Sequence, residues 1–328
     1  MDLLKKCTLL SLLFSLWGCA PLPAPPEEAR FTRAVITRTE ILPQLPSGSD
    51  FIHNGGQVYI ISDDAPYLFV YALHSNETQL QKRWITTTNS QLHRMPRDQK
   101  HDYEALVLLK GGKAEEAMIL FGSGSVSPTR EVISVTSGPG NDWQTFDAGA
   151  FYRHIRNKAG LSAATFNIEG AVCVGQDSIL LLNRGSQQGF QFSWEALYRY
   201  FHNQGPTPEV RILDLPLPQK ATYTFSGVAN SPWHPSRTLV FSASQEATND
   251  AQSDGAVLGS AIGLLEQKAS GWRVKSLWPV YQKSGGKARE KIEGIMPDPK
   301  DTEHSGRKFL AITDNDDGQT KLLWIELQ

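Results

Sequence analysis

A short motif recurs five times along this chain, and it constrains the fold more than any other feature. A small or acidic residue followed by Gly or Ala opens each copy: Ser47-Gly48, Glu104-Ala105, Glu169-Gly170, Ser226-Gly227 and Glu293-Gly294. These starts lie 57, 65, 57 and 67 residues apart. Each is followed by an apolar run that ends in a polar turn, as in Tyr59-Ile60-Ile61 before Ser62-Asp63-Asp64 and Leu180-Leu181-Leu182 before Asn183-Arg184. Self-similarity at such a period marks a supersecondary unit that cannot bury its faces alone and must stack on its neighbours.

Every copy continues alike. A third short strand follows the polar turn: Tyr67 to Tyr71, Glu131 to Val135, Phe190 to Trp194, Ala261 to Leu265, and Leu322 to Leu327. A fourth, more polar one precedes the next start: Gln79 to Thr87, Trp143 to Phe151, Val210 to Leu215, and Trp272 to Tyr281. β-branched and aromatic residues crowd these runs, and Gly, Pro, Asn, Asp and Ser punctuate them. The fifth unit runs out of chain after its third strand, whereas Arg33 to Ile41 has strand composition and no unit of its own. If that segment supplies the missing strand, the two ends of the domain close a ring. The expectation is an all-β propeller of four-stranded blades, five in number, closed by an N-terminal strand joining the last blade. A sixth blade stays open, with Ser137 to Thr165 as the place for a degenerate unit; an open β-sandwich is the competing fold. Trp194 to Phe201 is the one helical segment expected, as decoration between strands.

The first 18 residues read as an address. Lys5 and Lys6 precede an apolar stretch, Cys7 to Trp17, too short to span a bilayer. Leu16-Trp17-Gly18-Cys19 matches a bacterial lipobox, with Cys19 as the acylated residue and Trp17 bulky for its place; an ordinary cleaved signal peptide is the alternative. Residues 19–30 are Pro-rich and form a stiff tether, and residues 31–328 form the propeller domain. The expected location is the bacterial envelope, with a lipid anchor in the membrane at Cys19. In a Gram-negative host, Ala20 rather than Asp after the cysteine would direct it to the outer membrane, facing the periplasm. Only Cys173 then remains in the domain, as a small buried hydrophobe.

Lys plus Arg total 32 and Asp plus Glu 34, a formal charge of −2, and no basic stripe is present. Nucleic acid is therefore excluded as a partner. Glu104, Glu169 and Glu293 occupy one position in three units, so ring symmetry aims three carboxylates at one axis. Converging carboxylates repel until one takes a proton or an ion binds, and oxygen-only donors favour a hard cation, Ca²⁺ before Mg²⁺. The competing reading is structural: a Glu accepting main-chain N–H groups, or paired with Arg130 and Arg184. The turns after each second strand add Asp63, Asp64, Ser123, Asn183 and Asp314, which antiparallel pairing places on the same rim. This rim is the expected ligand site.

Other motifs fail. Gly122 to Ser127 imitates a dinucleotide fingerprint, but Pro128 and a strand follow instead of a helix. Asp314 to Gly318 is calcium-like, but its Gly comes one place early and no Glu stands at the twelfth position. The eight histidines show no metal spacing; His101, three residues before Glu104, and Asp63 are the candidate general bases.

Asp102-Tyr103-Glu104-Ala105-Leu106, Asn167-Ile168-Glu169-Gly170-Ala171 and Lys291-Ile292-Glu293-Gly294-Ile295 resemble the Glu-Gly strand openings of bacterial phytase-like and SdiA-regulated-type propellers. The resemblance covers residues 33 to 327. It implies a propeller with a Ca²⁺ site and, in some relatives, phosphoesterase or lactonase-like activity. Units one and four carry Ser where that motif has Glu, so metal ligands transfer only at the three glutamates. Two readings follow: an envelope propeller that binds an ion, a small anionic ligand or an envelope protein without catalysis, and a Ca²⁺-dependent hydrolase of phosphate esters or lactones. Arginines free of carboxylates would suit an anionic substrate; arginines tied to the glutamates would argue for structure.

Overall fold

The computed structural model describes residues 31–73, 80–85, 93–110, 116–138, 142–218, 222–248, 255–301 and 306–328. The chain enters through β1 (Ala34–Leu42) and then repeats one antiparallel meander. β2 (Gly48–Asn54), β3 (Gln57–Ser62), β4 (Tyr67–Ala72) and β5 (Gln81–Trp84) form the first sheet. β6 (Tyr103–Leu109), β7 (Ala117–Gly122), β8 (Val132–Thr136) and β9 (Gln144–Asp147) form the second, which leads into helix α1 (Gly149–Ala159). β10 (Ile168–Val174), β11 (Ser178–Asn183), β12 (Gln188–Ser193) and β13 (Arg211–Asp214) form the third, with helix α2 (Trp194–Phe201) before its last strand.

The rest is one eight-stranded sheet. β14 (Thr224–Asn230), β15 (Thr238–Glu246), β16 (Val257–Lys268) and β17 (Gly271–Gln282) make one half of it. β18 (Ile292–Pro297), β19 (Lys308–Thr313), β20 (Thr320–Leu327) and β1 make the other. β1 pairs antiparallel with β20 from Ala34↔Leu327 to Leu42↔Thr320, so the N-terminal strand completes the last meander. A short parallel pairing of β1 with β17, Ala34↔Val280 to Ile36↔Gln282, welds the two halves.

The first strands of the meanders, β2, β6, β10, β14 and β18, are neighbours in sequence order, and β18 returns to β2. That closed cycle makes the fold a β-propeller. Five apolar clusters fill the gaps between successive meanders. The second strands read as unbroken apolar runs because both of their faces are buried. In β7, Met118 and Leu120 face the cluster shared with the first sheet, whereas Ile119 and Phe121 face the one shared with the third.

Two expectations need correction. Trp143 to Phe151 is a strand only over Gln144–Asp147; α1 begins at Gly149. Phe151, Tyr152 and Ile155 lie on one helical face and are buried among the second and third sheets. Ser137 to Thr165 therefore holds α1 and a single 3₁₀ turn beside β9, and no further meander among its described residues; 139–141 lie outside these. The expected helix Trp194–Phe201 is present, with the Ser193 hydroxyl accepting the Ala196 N–H at 3.1 Å as its N-cap. Residues 1–30, which include the expected leader and tether and Cys19, lie outside the described residues, as do Gln79, Thr86 and Thr87 of the expected fourth strand. Among the described residues no helix is long and apolar enough to cross a membrane.

Candidate functional site

Each first strand carries a β-bulge at the repeated motif. The extra residue is Glu104 in β6, Glu169 in β10, Ser226 in β14 and Glu293 in β18. In β2 the irregularity falls between Gly48 and Asp50, so the equivalent residue is Ser49, two places beyond the expected Ser47. Ser47 and Gly48 resemble the motif only in composition. A bulge residue stands out of the ladder, and here it re-aims a side chain toward the axis.

The residue after each bulge explains the glycines. A Cβ on Gly227 would lie 2.3 Å from the Glu293 carbonyl oxygen. One on Gly294 would meet Phe51 at 2.8 Å, and one on Gly170 the Gly227 backbone at 3.2 Å. At these three glycines the neighbouring first strand approaches too closely for a side chain, whereas β2 and β6 carry Asp50 and Ala105 at that place. Glutamate thus serves the axis and glycine the neck of the ring.

Two residues before the bulge, on the same strand face, stand Ser47, Asp102, Asn167 and Lys291. Their carbonyls accept the N–H groups of Asp63, Ser123, Arg184 and Asp314 at 3.3, 2.9, 2.9 and 3.0 Å. One repeated main-chain bond therefore ties the turn after the second strand to the start of the first in four of the five meanders. The rings converge on a cavity of about 370 Å³ lined by eight carboxylates and six cationic groups. Asp63, Asp64, Glu104, Arg130, Glu169, Arg184, Glu293 and Asp314 line it, as the strand topology requires.

The remaining expected residues do not line it. His101 directs Nδ1 at the Thr129 carbonyl, 3.2 Å away, and packs edge-on against Tyr103. Ser123 is fully buried, its hydroxyl donating to Asp102. Asn183 accepts the Asn167 N–H at 2.7 Å and donates to the Thr165 carbonyl at 2.9 Å. Its amide is a strut between strands.

The cavity has two electrostatic halves. In one, Arg184 reaches Glu246 at 2.6 Å and Glu169 at 3.4 Å, while Lys291 pairs with Glu293 at 3.0 Å. In the other, Lys100 bridges Asp63 and Asp102, Arg130 holds Asp102 at 2.7 Å, and Arg94 holds Asp64. Burial would lower the Lys100 pKa, but Asp63 and Asp102 outweigh it and hold the ammonium above its ordinary range.

The carboxylates outrun these cations. Among the described residues, Glu104 has no hydrogen-bond donor and no ion-pair partner. Burial first, then Glu169, Asp102, Asp63 and Glu293, push its pKa well above the ordinary carboxyl range. Burial likewise lifts Asp63 to about 7 against the pull of Lys100, and raises Glu169 and Glu293 against Arg184 and Lys291. One oxygen each of Asp63 and Glu293 is buried without a partner. Asp63, Asp102 and Glu104 have ligand atoms within 4.8 Å of one another, the spacing of residues that share an ion. Of the three glutamates expected to share a metal, only Glu104 belongs to that group.

Sequence reasoning missed Lys100, Asp102 and Lys291. The signal was available for two of them: Asp102 and Lys291 precede a bulge glutamate by two residues, the strand period.

A family model matches residues 44–327, which takes in every strand from β2 to β20. The chain belongs to DUF6929, a family of unknown function. No curated protein matches it. Solved structures that align with this DUF6929 chain are remote. Myxococcus xanthus glutaminyl cyclase is 9% identical over 90% of this chain and 99% of its own, with a TM-score of 0.48. A luciferin-regenerating enzyme is 8% identical over 88% and 95%, with a TM-score of 0.44. The RRP9 WD40 repeats are 7% identical over 91% and 100%, with a TM-score of 0.41.

Proposed function

We propose that this DUF6929 protein is a five-bladed, lipid-anchored envelope propeller that binds a divalent cation, Ca²⁺ first, at the polar mouth of its channel, without catalysis. The observation that carries the reading is Glu104, a carboxylate at the axis with carboxylates around it and, among the described residues, no cation of its own. Asp63, Asp102 and Glu104 offer only oxygen donors, which suit a hard cation, and a bound ion would supply the missing charge. Arg130 and Arg184 are both engaged by carboxylates, which speaks against an anionic ligand. The five first strands and five inter-sheet clusters support the blade number.

The phytase-like hydrolase has less behind it, since His101 is turned away from the cavity. A lipid anchor at Cys19 would fix the orientation in the outer membrane. β20 starts beside the polar mouth, where the Gly48 N–H donates to the Thr320 hydroxyl, and ends at Leu327 opposite Ala34. β1 therefore begins at the face opposite the polar mouth, and a tether joined there would leave the mouth open toward the periplasm.

Calorimetric titration of Ca²⁺ into the full-length protein tests the cation site. Saturable binding weakened at least tenfold by Glu104→Gln is the expected result. Absence of binding in the folded wild type at millimolar Ca²⁺, or equal binding by the variant, would refute it.

A further inference from the structure

The other end of the channel is built differently. A cavity of about 550 Å³ opens there, between the far halves of the five first strands, with walls that include Phe51, Val172, Val228 and Met296. Its size is that of a small-molecule pocket, and the walls are predominantly apolar. Asp50 is the one carboxyl group among them; His53 and Lys110 also line the cavity, and the Lys110 ammonium donates to Asn54 at 2.8 Å. Asp50 stands where β10, β14 and β18 carry Gly170, Gly227 and Gly294, and where β6 carries Ala105.

Asp50 is 2% exposed. Its Oδ1 accepts the Phe51 N–H and its Oδ2 the Leu106 N–H, both at 2.8 Å. Among the described residues no cationic side chain pairs with it. Neither protonation state is comfortable. The ionised form lacks a counter-charge in an apolar wall, and burial lifts the pKa to about 8 against the two main-chain bonds. The protonated form weakens one of those bonds, because a carboxylic OH is a poor acceptor. An ammonium group answers both: it supplies the charge and donates to lone pairs that the N–H groups leave unused.

We propose that this cavity is a second binding site, distinct from the polar mouth, for a small molecule with an apolar body and a cationic nitrogen that meets Asp50. The apolar walls take the body, and Asp50 reads the charge. An anionic or neutral amphiphile of the same length leaves Asp50 unanswered.

Octylammonium, octanol and octanoate, titrated by calorimetry into the full-length protein at pH 8, separate these cases. The expected result is octylammonium binding at least tenfold tighter than octanol, with octanoate weaker still. Ala229→Phe, which puts a large side chain at the cavity wall on β14, is expected to abolish the binding, and Asp50→Asn to erase the preference among head groups. Ala229 lines this cavity and not the polar one, so persistence in the Ala229→Phe protein would place octylammonium at the polar mouth and overturn the proposal. Equal binding of the three probes, or no binding of octylammonium, would overturn it as well. Cys173 lines the cavity and gives a readout that needs no variant. Octylammonium is expected to slow its alkylation by N-ethylmaleimide, scored by peptide mass spectrometry, and an unchanged rate counts against the site.

Discussion

Replacing Glu104 by Gln should stabilise the protein in calcium-free buffer, and the effect should reverse when Ca²⁺ is added. The ligand atoms of Asp63, Asp102 and Glu104 lie within 4.8 Å of one another. At an effective dielectric constant of about 20, two like charges at that separation repel by about 3.5 kcal/mol. Lys100 and Arg130 offset part of this, so the net gain on removing the Glu104 charge is about 2 kcal/mol at pH 8, or a rise of about 4–8 °C in Tm. The pH dependence has a definite sign. A carboxyl with a raised folded pKa keeps its proton after its unfolded counterpart has ionised, so the native state binds more protons. Wild-type stability then falls as pH rises from the unfolded pKa to the folded one, at about 1.4 kcal/mol per unit. The amide introduced by Glu104→Gln does not titrate, so the gap between variant and wild type widens with pH. Calcium at one hundred times its Kd adds about 2.7 kcal/mol to the wild type and nothing to a variant that does not bind it. Urea unfolding between pH 5 and pH 8, in EDTA and in Ca²⁺, reads all of this. A Glu104→Gln protein less stable than wild type in EDTA at pH 8, or a gap that stays flat with pH, would show that Glu104 holds the fold together.

Two further outcomes follow from the geometry. Gly227→Ala should cost about 3 kcal/mol, because its Cβ would meet the Glu293 carbonyl, a main-chain group that cannot swing aside, at 2.3 Å. Gly55→Ala, at φ 59° in open space, should cost only about 1 kcal/mol; equal melting temperatures for the two would sink the close-approach argument. Arg184→Met leaves Glu169 and Glu246 buried beside an apolar side chain, and urea unfolding should show a loss of about 3–5 kcal/mol. A loss under about 1 kcal/mol would mean that Lys291 alone suffices for those two carboxylates.

The ring was legible because its period is long, its second strands are apolar on both faces, and its unpaired ends match each other. Register at the motif was less so. Ser47-Gly48 and Ser226-Gly227 look alike, yet the bulge in β2 falls two residues later, since composition does not report which residue leaves the ladder. The helix α1 was hidden for a related reason: Phe151, Tyr152 and Ile155 fit a helical face, but they follow a genuine strand, and the N-cap position is Ala148, while the Gly149 N–H is met from one place earlier by Asp147 at 2.8 Å. Lys100 was invisible because it acts across blades, reaching Asp63 at the end of β3 and Asp102 at the start of β6. Such pairings depend on which turns meet at the axis, and only the closed ring decides that.

The bulge ring also separates what the fold needs from what it does not. Ser49 and Ser226 occupy the same position as the three glutamates, and the ring closes around them. The bulge itself therefore makes no demand for a carboxylate. Glu169 and Glu293 are matched by Arg184 and Lys291, and a structural ion-pair network accounts for both. Glu104 is matched by no cation among the described residues. It sits with four other carboxylates raising its pKa, and its ionised form is a burden on the folded state rather than a support. Stability gives no reason for a glutamate there, whereas a cation at the mouth does.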